Sequence, residues 1–531
     1  MASLSVKIID SLRRIPIAGG TAEKFGDILD FSACRNEYVS GAMLIEVEVE
    51  SEVEVSYTGL GDAAIMRAVD LPIREAGARL VDPLLEESRF TVSGSQGIWV
   101  RLHVPKDAST GTHAGWIVVK SGEERAEVEV RLQVNEICLP DPWDGDFFLN
   151  VWMNPGAIAR WYDVPLWSEE HWSLLDKYVA DLAAHGQKTV VAPVVFDPWC
   201  SQTYTPYPST VEWIKDASGW RMDFTCFDRY VELHAKHGIR RAIHCYSPVH
   251  SPGDSHESTI LHRDADGEER RLTVEVGSDE YREAWGAFAR QLVGHIREKG
   301  WLDRTYIAFD EKPSEVMIAV FDLLRDVAPE LKIALAANVP QRLYDSLDDV
   351  SLIMDLDEGG IQSVKARREA GKLTTFYVCC GPAFPNTFVF SPPVEGRMLP
   401  WIAWDRGFDG FLRWAYSDWS PNPYEHPEWR EWGTGDSFFV YPGEGGVVTT
   451  TRWELLREGI QEFEMLSILR RKIGLLSPDE SAAALSELED AVALAARNPD
   501  GKVKDVEDLR SARKGIFHLM EQVEESLRSA L

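Results

Sequence analysis

The stretch TYIAFDE (Thr305–Glu311), followed at once by KPSEVMIAVFDLLRDVAP (Lys312–Pro329), decides the architecture. A short, nearly continuous apolar run with β-branched and aromatic residues reads as a strand buried on both faces. The segment after it carries apolar residues at helical spacing. Strand then helix is one β-α unit, and the same texture repeats on both sides of it.

Upstream, FFLNVWM (Phe147–Met153) precedes the helical SEEHWSLLDKYVADLAAHG, with Ser168 as its cap. TVVAPVV (Thr189–Val195) precedes FDRYVELHAKHG, and RAIHCYS (Arg241–Ser247) precedes SDEYREAWGAFARQLVGHIREKG. Downstream come KIALAAN (Lys332–Asn338) with a short helix near Leu343, then VSLIMDL (Val350–Leu356) with GGIQSVKARREAG. TTFYVCC (Thr374–Cys380) with MLPWIAWDRG, and DGFLRWAY (Asp409–Tyr416) with RWELLREGIQEFEMLSILRRK, complete the series. Eight such units predict a (β/α)8 TIM barrel over residues 146–472. An open doubly wound sheet is the rival, but no G-x-G-x-x-G follows the first strand.

Before the barrel the period changes from helical to two. AMLIEVEVE (Ala42–Glu50), EVEVSY (Glu52–Tyr57), GIWVRLHVP (Gly97–Pro105), GWIVVKS (Gly115–Ser121) and AEVEVRLQV (Ala126–Val134) alternate in polarity, as half-buried antiparallel strands do. Residues 1–140 are therefore expected to form an accessory β-sandwich, joined through LPDPWDGD (Leu139–Asp146). Residues 473–531 read as amphipathic helices, packed on the barrel or at a contact between copies in a homo-oligomer.

A chain of 531 residues with 44% apolar content has material for a large core and more than one domain. Its net charge of −31 repels phosphate backbones and anionic lipid surfaces, which argues against nucleic acid or membrane as partner. The seven cysteines form no C-x-x-C pair, and Cys379 with Cys380 reads as a buried thiol pair in an apolar run. With no apolar signal segment at the N-terminus, the expected setting is a reducing, cytoplasmic one. No cofactor and no metal are expected. His244, His250, His256 and His262 recur at a spacing that suits no metal site, and the acidic DLDEGG (Asp355–Gly360) lacks calcium-loop order.

In a TIM barrel the chemistry sits at the C-terminal ends of the strands. Those ends offer Trp152 and Asn154, Asp197 and Trp199, Tyr246, His250 and Asp254, Asp310 and Glu311, Asn338, Asp355 and Asp357. The eighth strand and the loop beyond it add Arg413, Trp414, Tyr416, Asp418, Trp419, Asp436 and Tyr441. Carboxylates ringed by tryptophans and tyrosines suit a small carbohydrate, because aromatic faces stack on sugar rings. Of the nineteen tryptophans most are expected to be core. Strand seven ends in Cys379–Cys380 and supplies no acid, which leaves Asp310 and Glu311 as the pair. Neighbours on a strand face opposite ways, so both serve one site only where the strand stops or bulges. Such a pair suits catalysis in which the sugar's own 2-acetamido oxygen attacks the anomeric carbon, one carboxylate holding the acetamido N–H and the other donating the proton. Asp310 as a helix cap with Glu311 in the first turn is the structural reading of the same dipeptide. Tyr377 is either a holder of the acetamido carbonyl or a barrel-interior tyrosine, and Asn386 follows it.

FDEKPSE (Phe309–Glu315) resembles the catalytic Asp-Glu-Pro segment of glycoside hydrolase family 123. GFLRWAYSDWSPNPY (Gly410–Tyr424), GDSFFVYPG (Gly435–Gly443) and TRWELLREGIQEFEML (Thr451–Leu466) resemble the C-terminal half of that family and of the related uncharacterised domain family 4091. The resemblance implies a retaining β-N-acetylgalactosaminidase with an oxazolinium intermediate, Glu311 as general acid/base and Asp310 as acetamido stabiliser. Lys312 departs from the pattern by pushing the proline to Pro313, which bears on the N-acetyl requirement. Two other readings stand beside this one: a barrel glycosidase for a non-acetylated sugar with Asp355 or Asp357 as partner to Glu311, and a non-catalytic carbohydrate-binding protein.

Overall fold

The computed structural model describes residues 4–200, 202–250, 255–337, 339, 341–354, 358–497 and 505–529. Its N-terminal part holds two sheets. The larger has seven strands in the order Leu4–Ile9, Tyr38–Val47, Ser95–His103, Asp62–Ile73, Ala78–Glu86, Gly446–Thr450 and Tyr441–Gly443. The smaller has five, in the order Ile28–Arg35, Glu124–Cys138, Gly111–Ser121, Ser51–Thr58 and Arg89–Val92. Pairing is antiparallel except where Ile28–Arg35 runs parallel to Glu124–Cys138. Alternation puts Val53, Val55, Ile117, Val119, Val130 and Leu132 inward from the smaller sheet, against Met43, Ile45, Ile98 and Val100 of the larger, in one apolar core. Two strands of the larger sheet come from residues 441–450, so a segment that follows the last barrel strand returns to complete it.

The second body is a nearly closed parallel barrel. Its strands are β1 (Phe148–Val151), β2 (Thr189–Pro193), β3 (Ala242–Tyr246), β4 (Thr305–Asp310), β5 (Lys332–Ala336), β6 (Asp349–Ile353), β7 (Leu373–Tyr377) and β8 (Gly410–Arg413). They pair in the order β1-β8-β7-β6-β5-β4-β3-β2. At the seam between β1 and β2 the ladder shrinks to one bridge, Leu149 with Gln187. The Gln187 side chain does the rest: Oε1 accepts from the Val151 amide at 2.9 Å, and Nε2 donates to the carbonyls of Val151 and Thr189 at 3.1 and 2.8 Å. An amide side chain thus stands in for missing ladder bonds in a place water does not reach.

Helices follow the strands on the outside, among them Glu169–Ala184, Thr225–Lys236, Asp279–Glu298, Ser314–Val327, Val394–Arg406 and Thr451–Ile473. Ser168 caps the first of these on the His171 amide, and Thr450 caps the last on the Trp453 amide. A separate four-stranded sheet, Gly219–Asp223, Glu212–Asp216, Glu257–Arg263 and Glu269–Glu275, grows from the loops after β2 and β3 and had no counterpart in the sequence reading. Helices Pro478–Ala496 and Val506–Ser529 close the chain. Among the described residues no helix is long and apolar enough to cross a membrane.

Helix Thr451–Ile473 lies between the two bodies and is buried along almost its whole length, charges included. Arg452 forms a two-pronged pair with Asp82 at 2.8 and 2.9 Å, and Glu454 accepts from Arg101 at 3.0 Å. Charges buried this deeply persist because each is matched in place. They lock the larger sheet to the loops that carry the site.

Candidate active site

Strand β4 ends at Asp310. Along it Tyr306 and Ala308 face the barrel interior while Phe309 is buried against the outer layer. Asp310 therefore points inward by the same alternation, and Glu311, the first residue past the strand, is released from the pleat. Both line one cleft at the C-terminal mouth of the barrel. Ala336, at the end of β5, adds a small side chain to its lining.

The two carboxylates are held differently. Asp310 Oδ2 accepts from the Trp199 indole Nε1 at 3.0 Å, and Oδ1 faces the Lys312 ammonium at 3.3 Å. Lys312 is buried and also donates to the Glu311 carbonyl at 3.0 Å. Glu311 is exposed, and its Oε1 accepts from the Tyr377 hydroxyl at 2.7 Å. Burial, with Glu311 beside it, pushes the Tyr377 hydroxyl well above the usual phenol range, so it acts as a donor.

Trp152, Trp199 and Tyr246 pack ring to ring beneath the cleft, with centroids 4.7–5.2 Å apart. Trp152, Tyr377, Trp414 and Asp436 line it directly, together with Leu412, Gln202, Val378, Cys379, Cys380 and Trp432. Asp436 pairs with Arg413 at 2.7 Å, both side chains fully buried, and accepts from Trp414 Nε1 at 3.1 Å. Its other oxygen has no hydrogen-bond partner among the described residues, and burial raises its proton affinity.

Several residues expected around the sugar are placed elsewhere. Asn154 caps helix Pro155–Trp161 and donates to Asp418 at 2.7 Å. His250 bridges the Phe196 carbonyl and the Thr259 amide. Asn386 holds the carbonyls of Cys379 and Pro382, shaping the loop after β7. Arg413 lies under the cleft on the Val378 carbonyl and Asp436, outside its lining. Tyr416 donates to Asp181 at 2.6 Å, Trp419 to the Val440 carbonyl at 2.7 Å and Tyr441 to Asp82 at 3.0 Å; all three are buried away from the cleft. In each case the polar atom is already spent on the protein. Asn338, Asp254, Asp355 and Asp357 lie outside the described residues.

The cysteine pair also differs from expectation. Cys380 is exposed and Cys379 half-buried, their sulfurs 3.7 Å apart on the lip of the cleft, so the apolar run of β7 has ended before them. Gln202 and Trp432 carried no periodic signal, since they sit in irregular loops where only tertiary structure brings them to the mouth. Among the described residues no group of three His, Cys, Asp or Glu is arranged to hold a metal ion.

Comparison with solved structures finds a family 123 glycoside hydrolase from Clostridium perfringens, whose structural analysis concerned glycolipid glycan hydrolysis. It is 21% identical with a TM-score of 0.84, over 99% of this chain and 98% of that one. A β-glucuronidase from Parabacteroides merdae matches far more weakly, at 9% identity and TM-score 0.31 over 86% of this chain and 51% of that one. No curated protein matches by sequence. The model of the glycoside hydrolase 123 catalytic domain matches residues 152–469, a span that contains β2 through β8, the Asp310–Glu311 pair and every residue lining the cleft. The chain belongs to glycoside hydrolase family 123 and is a glycoside hydrolase.

Proposed function

We propose that this hydrolase removes terminal β-linked N-acetylhexosamine, N-acetylgalactosamine foremost, with retention of configuration and with the substrate's own acetamido group as nucleophile. The observation that carries the reading is the unequal setting of two adjacent carboxylates in one cleft. Asp310 is gripped on both oxygens by Trp199 and Lys312, which suits a group that must stay ionised and oriented to accept the acetamido N–H. Glu311 is open to solvent and tied on one oxygen only, which suits a group that gives a proton to the departing oxygen and then takes one from water. Tyr377 occupies Oε1 of Glu311 and leaves the second oxygen for the glycosidic bond.

In the first step the acetamido oxygen closes on the anomeric carbon as Glu311 protonates the leaving group, giving the oxazolinium with Asp310 against its N–H. In the second, Glu311 draws a proton from water, whose oxygen bonds to the anomeric carbon from the β face that the leaving group vacated as the bond to the acetamido oxygen breaks, giving the retained β-product. The frame is a TIM barrel (146–472) with an accessory sandwich (1–140) and a helical appendage (473–531), working in the cytoplasm. Glycolipid glycans, the material handled by the Clostridium perfringens enzyme, are the natural source to try first.

The test compares aryl β-glycosides of N-acetylgalactosamine, N-acetylglucosamine and galactose, with the product anomer read by NMR. The expected result is acetamido sugars only, β-product first, and a loss of about 10²–10⁴-fold in Glu311→Gln. Comparable turnover of the plain galactoside, or an α-product, refutes it.

A further inference from the structure

One turn of the N-terminal body reaches the wall of the cleft. Strands Asp62–Ile73 and Ala78–Glu86 pair up to Ile73 with Ala78. The connection between them, residues 74–77, closes with the Gly77 amide on the Arg74 carbonyl at 3.2 Å and Gly77 at φ +57°. From this turn two adjacent side chains cross to the loop after β8. Glu75 Oε2 accepts from the Thr434 hydroxyl at 2.7 Å and Oε1 from the Thr434 amide at 3.3 Å. Arg74 donates to the carbonyls of Arg430 and Trp432 at 2.9 and 3.2 Å, and pairs with Glu75 at 2.8 Å. Residues 430, 432 and 434 are thus held in sequence.

The loop they grip is one that needs holding. Residues 430–436 form neither strand nor helix, so no ladder fixes their backbone. Arg430 sits at φ +54°, a region unfavourable to a side chain that persists where contacts impose it. Thr434 is fully buried between Gly433 and Gly435, the second at φ +89°, and glycine gives a chain its greatest freedom. Trp432 and Asp436, two residues to either side of Thr434, line the cleft with Asp310 and Glu311. Trp432 Nε1 ties the ring to the Gln202 carbonyl at 3.0 Å, and the hairpin turn ties the backbone.

From this clamp we infer that Glu75 is a positioning residue for hydrolysis: a carboxylate of the accessory sandwich that acts through Thr434 to hold the Trp432–Asp436 wall of the cleft. The clamp is separate from the joint between the two bodies. There Arg452 and Asp82 are deeply buried, whereas the Arg74 and Glu75 side chains keep 46% and 21% of their surface. Removing so open a carboxylate costs little global stability but releases Thr434. A released wall must be ordered again each time substrate binds, which weakens binding, while the carboxylates that do the chemistry are untouched. The inference rests on this cleft being the site of hydrolysis and not on which sugar enters it.

The experiment measures KM, kcat and the urea midpoint in wild type, Glu75→Ala, Glu75→Gln, Thr434→Val and the Glu75→Ala/Thr434→Val double variant, on whichever aryl glycoside the enzyme hydrolyses best. Glu75→Ala should raise KM about tenfold with kcat within about twofold, at an unchanged midpoint. Glu75→Gln keeps an acceptor oxygen for Thr434 and should recover most of the loss. Thr434→Val keeps the shape without the hydroxyl and should move KM the same way, with little further change in the double variant. A merely structural Glu75 would lower the midpoint or the active fraction, and kcat with it, at constant KM. A KM within about twofold of wild type in both single variants, at whatever midpoint, overturns the inference. Should Glu75→Ala fail to fold, Thr434→Val alone decides. A plain galactoside as best substrate would defeat the proposed specificity and leave this comparison intact, whereas full activity in Glu311→Gln would remove the site and the inference with it.

Discussion

Replacing Trp199 by phenylalanine removes one N–H from Asp310 and little else. The indole packs on Trp152, Tyr207 and Tyr246 with centroids 4.8, 4.5 and 5.2 Å away, and a phenyl ring keeps most of those contacts. What disappears is the 3.0 Å bond to Oδ2. A hydrogen bond to a charged group is worth about 1.5–3 kcal/mol, and each 1.36 kcal/mol is about a factor of ten in rate. If Asp310 must be oriented in the transition state, kcat/KM of Trp199→Phe falls about 10–150-fold while the fold survives. The assay is steady-state hydrolysis of the best acetamido substrate, run well below the melting temperature, in wild type, Trp199→Phe, Asp310→Asn and the double variant. Against Asp310→Asn the same tryptophan change should cost much less, because a neutral acceptor gains about 0.5–1.5 kcal/mol from the bond. Equal losses in both backgrounds, or a single variant within about twofold of wild type by the same scale, would refute the assigned role.

Lys312→Met takes the ammonium from Asp310 Oδ1 and the Glu311 carbonyl and should lower kcat about tenfold or more at nearly constant KM, read from saturation curves. Arg452→Met strands the buried Asp82 carboxylate, and urea titration should show a loss of about 3–5 kcal/mol. Asp418 is fully buried, with its proton affinity raised by burial to about pH 7 despite the donors Asn154 and Tyr207. The folded protein then keeps a proton that the unfolded chain releases above its ordinary pKa of 3.8, so this group's stabilisation is full at low pH and is lost as pH rises to about 7. Denaturation at several pH values should show Asp418→Asn with a flatter decline across that window, by at most about 1.4 kcal/mol per pH unit; parallel curves would rule the group out.

The barrel was legible because each of its strands is an apolar run backed by a helical segment, a pattern local enough to read without contacts. The return of residues 441–450 to the N-terminal sheet was not, since Gly446–Thr450 finds its partner in Ala78–Glu86, more than three hundred residues earlier, and Tyr441–Gly443 joins only through it. Strands such as Asp62–Ile73 and Ile28–Arg35 also escaped notice, because their burial alternates imperfectly. At the site, strand ends located Asp310, Glu311, Trp152 and Tyr377, but proximity to a strand end did not separate lining from support. Tyr416 and Trp419 lie past β8 in sequence yet turn their polar atoms to Asp181 and Val440. Side-chain direction past the last pleated residue is set by loop packing, and periodicity holds no information about it.

That same break in the pleat explains why two adjacent acids can line one cleft. Had β4 run one residue further, Glu311 would have faced the helical layer and Asp310 would have stood alone in the barrel. Ending the strand at Asp310 frees the next side chain, and the inserted Lys312 then occupies a buried position beneath both, donating to the Glu311 carbonyl and facing Asp310. Its cost is a cation taken out of water, offset in part by the carboxylate and the carbonyl that meet it. The lysine thereby ties the backbone after the strand and sets a positive charge beside Asp310, the acid proposed to hold the acetamido group. On this account the N-acetyl requirement survives the insertion, and an enzyme that cleaved plain galactosides as readily would show that the lysine had instead turned Asp310 to other work.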